Sequence, residues 1–267
     1  MSTVTSADGT SIAYEAWGSG QPLIFVDGAT AHRAVSPKAA EVAELLGDEF
    51  RVYAYDRRGR GESGDTAPYA VPREIEDLAA LIGEAGGSAV VCGFSSGSVL
   101  ALDAAAAGLP ITKLAMFEPP FVVDDSRPPL PTDYVERLDT LVAEGKRGEA
   151  AELFLTGGAG LPPEFVPGIK QSPMWPGLEA VAHTISYDGR VMQDVMRGQP
   201  LPADRWSALT TPVLVLYGTG TAPSLISAAK ALAELLPTAT LQGVDGEQHD
   251  VAADVLAPVL QQFAKTE

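Results

Sequence analysis

The chain has 267 residues, enough for one large domain or a domain with an insertion, and its 46% hydrophobic content supplies a core that needs no covalent staples. With 35 acidic against 18 basic side chains the net charge is -17, which repels phosphate backbones and anionic membrane surfaces; no nucleic acid and no membrane is expected as a partner. The single cysteine, Cys92, excludes an internal disulfide and any cysteine-based metal cluster.

The opening "MSTVTSADGTSIAYEAWG" lacks the basic start and long apolar stretch of a secretory signal, and no membrane-length apolar run follows, so a soluble cytoplasmic protein is the expectation. In chain order, "TVTS" and "SIAYEAW" flank Asp8-Gly9, a hairpin turn signal. "PLIFVDG", "RVYAYD", "SAVVCGF", "TKLAMFE", "PVLVLYG" and "TATLQGV" follow as short apolar, β-branched runs, making eight strand candidates. Amphipathic helix patterns separate most of them; "REIEDLAALIGEA" sets Ile75, Leu78, Leu81 and Ile82 on one face. This alternation is the pattern of an α/β fold with a mostly parallel sheet flanked by helices. It breaks between Val122 and Arg205, where helix patterns alternate with prolines and no strong strand occurs. The chain therefore reads as a core in two parts, 1–121 and 206–267, with a helical insertion over 122–205, entered and left through the Pro-rich "DDSRPPLPTD" and "GQPLPADRW".

"GFSSG", residues 93–97, fits G-x-S-x-G with a strand before it and a helix pattern after it, the context that motif requires. A serine nucleophile on so sharp a turn needs small residues two before and two after it. Ser95 alone of the three nearby serines has glycine at both places. Ser96 follows it, with a backbone N–H that can face a developing oxyanion, and Ser98 falls inside the first helical turn. A serine hydroxyl needs a base, and the chain offers three histidines. His183 lies on an amphipathic face of the insertion and His32 follows the third strand. His249, in the loop "VDGEQHD" after the last strand candidate, can reach over a nucleophile on a central strand and is the expected base.

The order strand, "DG", strand, "YDRRGRGES", strand, "GFSSG", strand, helical insertion, strand, strand, loop histidine resembles the α/β-hydrolase superfamily, in its serine-nucleophile, capped form, over essentially the whole chain. "YDRRGRGESG" is similar to the family signature D-x-R-G-x-G-x-S, and on that resemblance Asp56, Arg58 and Ser63 are structural. The resemblance implies Ala29 and Ser96 as oxyanion-hole donors. "VDGAT" departs from it, with Asp27 where His is usual. A carboxylate there opposes a developing oxyanion unless Arg33 pairs with it or it is protonated. A second departure is Thr221, standing where the family's acid follows the seventh strand. The superfamily has another placement for that acid, at the end of the sixth strand, and Glu118 stands there in "KLAMFEPPF"; the alternatives are that Glu118 anchors the insertion or binds substrate.

The expected constellation is thus Ser95, His249 and Glu118 for catalysis, Ala29 and Ser96 for the oxyanion, and Asp27, His32, Phe94 and Trp175 as substrate contacts, with no cofactor and no metal. Phe165, Met174, Trp175, Tyr187, Met192 and Met196 in the insertion suit a medium-sized, partly apolar small-molecule substrate. The expected function is a serine hydrolase that cleaves an ester or lactone through an acyl-enzyme. Other chemistry of the same fold (C–C hydrolase, thioesterase, perhydrolase or lyase) and a catalytically silent small-ligand binder stay open, and so does a homodimer.

Overall fold

The computed structural model describes residues 1–266. The chain forms β1 (Ser2–Thr5), β2 (Ser11–Gly18), β3 (Gln21–Val26), α1 (Lys38–Leu46), β4 (Phe50–Tyr55), α2 (Val71–Glu84), β5 (Ala89–Phe94), α3 (Ser96–Ala106) and β6 (Ile111–Phe117). Five helices follow before the sheet resumes: α4 (Tyr134–Ala143), α5 (Arg147–Leu153), α6 (Val166–Lys170), α7 (Trp175–Val181) and α8 (Ile185–Val191). The chain then closes with β7 (Val213–Gly220), α9 (Pro223–Leu235), β8 (Ala239–Glu247), β9 (Asp250–Val251) and α10 (Ala253–Lys265).

One nine-stranded sheet carries the order β1-β2-β4-β3-β5-β6-β7-β8-β9. β1, β2 and β9 pair antiparallel; β4, β3, β5, β6, β7 and β8 are mutually parallel. The parallel strands read as near-continuous apolar runs because both faces of the sheet are covered. Alternate residues separate cleanly: Ile24, Val91, Met116 and Val215 pack with residues of α2, α3 and α9. Phe25, Cys92, Phe117 and Leu216 pack with residues of α1 and α10 on the opposite face. The ninth strand was not among the sequence candidates. "VDGEQHD" forms a hairpin rather than an open loop, with β8 running on to Glu247 and pairing with Asp250–Val251.

The insertion has its own small cluster, Tyr134, Leu138, Ala150, Ala182 and Ile185. Its last part, Val191, Met192, Val195 and Met196, joins the main core. Trp206 closes it: the indole is 2% exposed, packs on Phe121 and donates Nε1–H to Asp103 Oδ1 at 2.9 Å. Asp103 also receives Arg205, at 2.6 and 2.9 Å, so both residues at the return to the core are tied to α3.

Helix α2 buries Leu78, Leu81 and Ile82 as its periodicity predicts, but also Glu74 and Asp77. Their partners are the signature's arginines. Arg58 makes a two-pronged bond to Asp77 at 2.7 Å and reaches Asp8 at 3.0 Å. Asp56 accepts the Arg33 and Glu62 amides, while Ser63 donates to the Asp56 carbonyl and accepts from Ala13. The Asp56, Arg58 and Ser63 side chains therefore knit the turn after β4 into the sheet and α2.

The β5–α3 turn has no spare room. A Cβ on Gly93 would meet Ser98 Cα at 2.5 Å, and one on Gly97 would meet the Val26 and Asp27 carbonyl oxygens at 2.2 and 2.5 Å. Those contacts are backbone and cannot swing away. Gly97→Ala is expected to cost about 2–3 kcal/mol, read as a fall of roughly 5–10 °C in the thermal unfolding midpoint.

Candidate active site

Three of the five non-glycine residues with positive φ are Ser95 (52°), Glu118 (48°) and His249 (63°), on three different segments. Such conformations are uphill for a residue with a Cβ and persist only where the surroundings enforce them. Ser95 is held by its own amide, which donates to the Phe117 carbonyl at 3.0 Å, and by Gly28, whose Cα lies so close that a Cβ there would sit 2.8 Å from Ser95 Cβ. Glu118 follows β6 directly, with its amide on the Leu216 carbonyl at 2.9 Å. Gln248 and His249 are the two central residues of the β8–β9 hairpin, both left-handed (53° and 63°) as a tight I′-type turn demands.

These placements bring Glu118 and His249, 131 residues apart in sequence, to 2.5 Å between Oε2 and Nδ1. The other carboxylate oxygen of Glu118 accepts the Gly218 amide at 2.8 Å. Glu118 is 0% exposed, so both oxygens are spoken for and its charge is met by the imidazole edge and a backbone dipole. Phe117 packs against the His249 ring. Ser95 and His249 line one cavity of about 650 Å³, together with Gly28, Ala29, Phe94, Ser96 and Thr221. Thr221 offers no carboxylate, and among the described residues its buried hydroxyl has no partner.

The three serines have three separate tasks. Ser98 Oγ is tied to the Gly93 carbonyl at 2.7 Å, and Ser96 Oγ donates to Asp188 Oδ1 at 2.7 Å. Among the described residues neither the Ala29 nor the Ser96 amide has a protein acceptor. The Ser96 amide opens α3, so the positive end of that helix adds to its pull on an anion.

A buried ion network underlies those two amides. Arg57 grips Glu74 at 2.6 and 2.8 Å and Asp188 at 2.6 Å. Arg60 binds the second Asp188 oxygen, Thr184 at 3.0 Å and the Gly28 carbonyl at 2.6 Å. That carbonyl belongs to the same peptide unit as the Ala29 N–H. Asp188 thus holds Ser96 directly and Ala29 through Arg60. Burial raises the Asp188 pKa, but Arg57 and Arg60 overcome it and leave the carboxylate below its usual range. These residues went unnoticed in the sequence. Arg57 and Arg60 occupy the variable positions of the signature, and Asp188 lies in "SYDGRV" of the insertion with no local hint of a partner.

Asp27 lies in the cavity wall, its carboxyl accepting Ser36 Oγ at 3.0 Å. Burial pushes its pKa up to about 6, against the opposing pull of Ser36, Arg60 and Arg57. Arg33 does not relieve it, because Asp56 and Glu62 take that guanidinium at 3.0 and 2.8 Å. Phe94 also faces the cavity, whereas His32 and Trp175 are not among its lining residues. The His32 backbone carbonyl accepts the Val35 and Ser36 amides in a turn after β3. Trp175 opens α7, with the Lys170 ammonium 5.6 Å from its ring centroid. Phe165 and Met174 are exposed and Tyr187 stacks on Tyr69; of the large residues expected from the insertion, Met192 and Met196 reach the cavity. His183 sits 3.8 Å from Asp65, away from the cavity.

An alpha/beta hydrolase from Sphaerobacter thermophilus shares 52% identity with this chain, with a TM-score of 0.90 over 99% of this chain and all of the other. A thermophilic esterase from Thermogutta terrifontis superposes with a TM-score of 0.73 at 24% identity, over 99% of this chain and 97% of the esterase, a likeness of fold. A non-heme haloperoxidase from Rhodococcus erythropolis is 34% identical over 87 residues, a stretch that spans 32% of this chain and only 31% of that relative. The model of the Alpha/beta hydrolase family matches residues 22–260. With the sheet, the turn at Ser95 and this match in hand, the chain belongs to the alpha/beta hydrolase family.

Proposed function

We propose that this hydrolase cleaves an ester or lactone through an acyl-enzyme on Ser95. The observation that carries the reading is the 2.5 Å contact between Glu118 and His249 Nδ1, in a cavity whose wall also holds Ser95. A carboxylate on Nδ1 fixes the tautomer that leaves Nε2 free to accept a proton. His249 takes the Ser95 proton as Oγ attacks the carbonyl carbon, then delivers it to the departing alkoxide. Water, activated by the same imidazole, attacks the acyl carbon and releases the acid, restoring Ser95. The oxyanion of each tetrahedral intermediate is received by the Ala29 and Ser96 amides, worth about 3 kcal/mol per donor. The segment 122–205 acts as a cap whose Leu130, Tyr134, Met192 and Met196 suit a partly apolar small molecule. The stretch shared with the haloperoxidase favours one second reading, in which hydrogen peroxide replaces water in deacylation and a peracid leaves; peroxide-dependent peracid release from the same esters distinguishes the two.

The primary test is hydrolysis of p-nitrophenyl acetate and butyrate with fluorophosphonate labelling. Ser95→Ala is expected to abolish both turnover and labelling, and Glu118→Gln to lower kcat by about 10²–10⁴-fold. An unlabelled, inert parent would mean a ligand binder instead.

Asp188→Asn weakens the hold on both oxyanion donors. It is expected to lower kcat by roughly 10–100-fold with a small change in KM, measured on folded protein at matched pH.

Asp27 generates a pH dependence. Its folded pKa of about 6 lies above the usual 3.8, so the neutral form favours the native state. That stabilisation is complete below pH 3.8 and is lost as pH rises through about 6. The carboxylate formed above that pH opposes the oxyanion. The kcat/KM ratio of Asp27→Asn to parent should therefore rise with pH and level off above about 7; a ratio flat from pH 5 to 8 counts against it.

A further inference from the structure

Charges in the cavity wall are nearly all answered from within the protein. Asp188 is held by Arg57 and Arg60, Lys38 by Asp250 at 3.4 Å and Glu41 at 3.7 Å, and His249 by Glu118. Arg127 is different. It enters with the Pro-rich start of the insertion, lines the cavity, and among the described residues has no carboxylate within ion-pair distance.

The guanidinium is nevertheless fixed. Nη2 donates to the Gly157 and Gly158 carbonyls at 2.7 and 3.1 Å. Nε is sealed off from solvent, whereas Nη1 donates to no protein atom among the described residues. A positioned cation whose Nη1 is unused is what a ligand anion completes, because a charged acceptor gives the stronger bond. Burial lowers the Arg127 pKa, an electrostatic cost that an incoming anion relieves. Around it stand Leu130, Tyr134 and Phe154, an apolar wall with one cation. That composition fits a monoanionic carboxylate on a hydrocarbon chain; a phosphate dianion would call for a second cation.

We propose that Arg127 is a carboxylate anchor, and that the substrate cleaved at Ser95 carries a second, free carboxylate, as in a half-ester or lactone derived from a dicarboxylic acid. The substrate part of this inference rests on the reading of Ser95 as nucleophile; the anchor itself does not.

Two esters of equal chain length isolate the effect: mono-p-nitrophenyl glutarate, with a terminal carboxylate, and p-nitrophenyl pentanoate, with a methyl in its place. The parent is expected to favour the glutarate in kcat/KM. That ratio should fall by about 10–100-fold in Arg127→Gln and by less in Arg127→Lys, which keeps the charge but loses the planar fork. A merely structural role would lower both esters together and leave the ratio unchanged, overturning the proposal. Glutarate binding by calorimetry gives a readout free of turnover, with Kd expected to weaken at least tenfold in Arg127→Gln. If both esters are inert and the fluorophosphonate does not react, but glutarate binds in an Arg127-dependent way, the nucleophile reading fails and the anchor stands. Glutarate that does not bind, or binds the parent and Arg127→Gln alike, refutes the anchor whatever the esters do.

Discussion

The ion network of Arg57, Arg60, Glu74 and Asp188 is the constraint around which the site is arranged. Each of these side chains is at most 6% exposed, and stripping such ions of water costs several kcal/mol apiece unless every charge is met. The two arginines come from the turn after β4, Glu74 from α2 and Asp188 from α8 of the insertion. Lifting α8 away would strand the Arg60 guanidinium without a carboxylate and leave Arg57 to Glu74 alone. This end of the insertion is therefore a fixed wall, and the same bonds that fix it reach the Gly28 carbonyl and the Ser96 hydroxyl. Placement of the Ala29 and Ser96 amides and docking of the insertion rest on the same bonds.

Backbone strain is concentrated in the same place. Ser95, Glu118 and His249 each adopt a φ that a side chain disfavours, and each is held there by neighbours on the sheet. The parallel strands β5 and β6 end side by side, so Ser95 and Glu118 stand at neighbouring strand ends, and the β8–β9 hairpin brings His249 to Glu118. Glu118 is short of freedom at both oxygens, which gives His249 a fixed bearing although the histidine itself stands in a hairpin turn nearer the solvent. Rigid carriers hold the charges; the apolar insertion shapes the space above them.

Much of this was legible in the sequence because it follows from short-range rules. Apolar runs of strand length marked eight of the nine strands, and glycines at 93 and 97 singled out Ser95, since close approach of backbone is written in a lack of side chain. The contact of Glu118 with His249 was anticipated by elimination together with the family's known placements. What escaped were partnerships set by tertiary packing. Glu74 and Asp77 carry helical spacing, but nothing local says that their face is buried or that arginines wait beneath it. Ser96 and Asp188 are 92 residues apart. Trp175 and His32 were expected at the cavity on residue type and position, and the course of α7 and of the turn after β3 sends them elsewhere.

The origin of the histidine's carboxylate has a consequence for how this enzyme can change. With Glu118 on the β6 side meeting His249, the stretch from the end of β7 into α9 supplies no carboxylate to the histidine, yet its Thr221, Ala222, Ser224 and Leu225 form part of the cavity wall. The shape of that part of the wall can therefore be altered by substitution without touching the contact between Glu118 and His249.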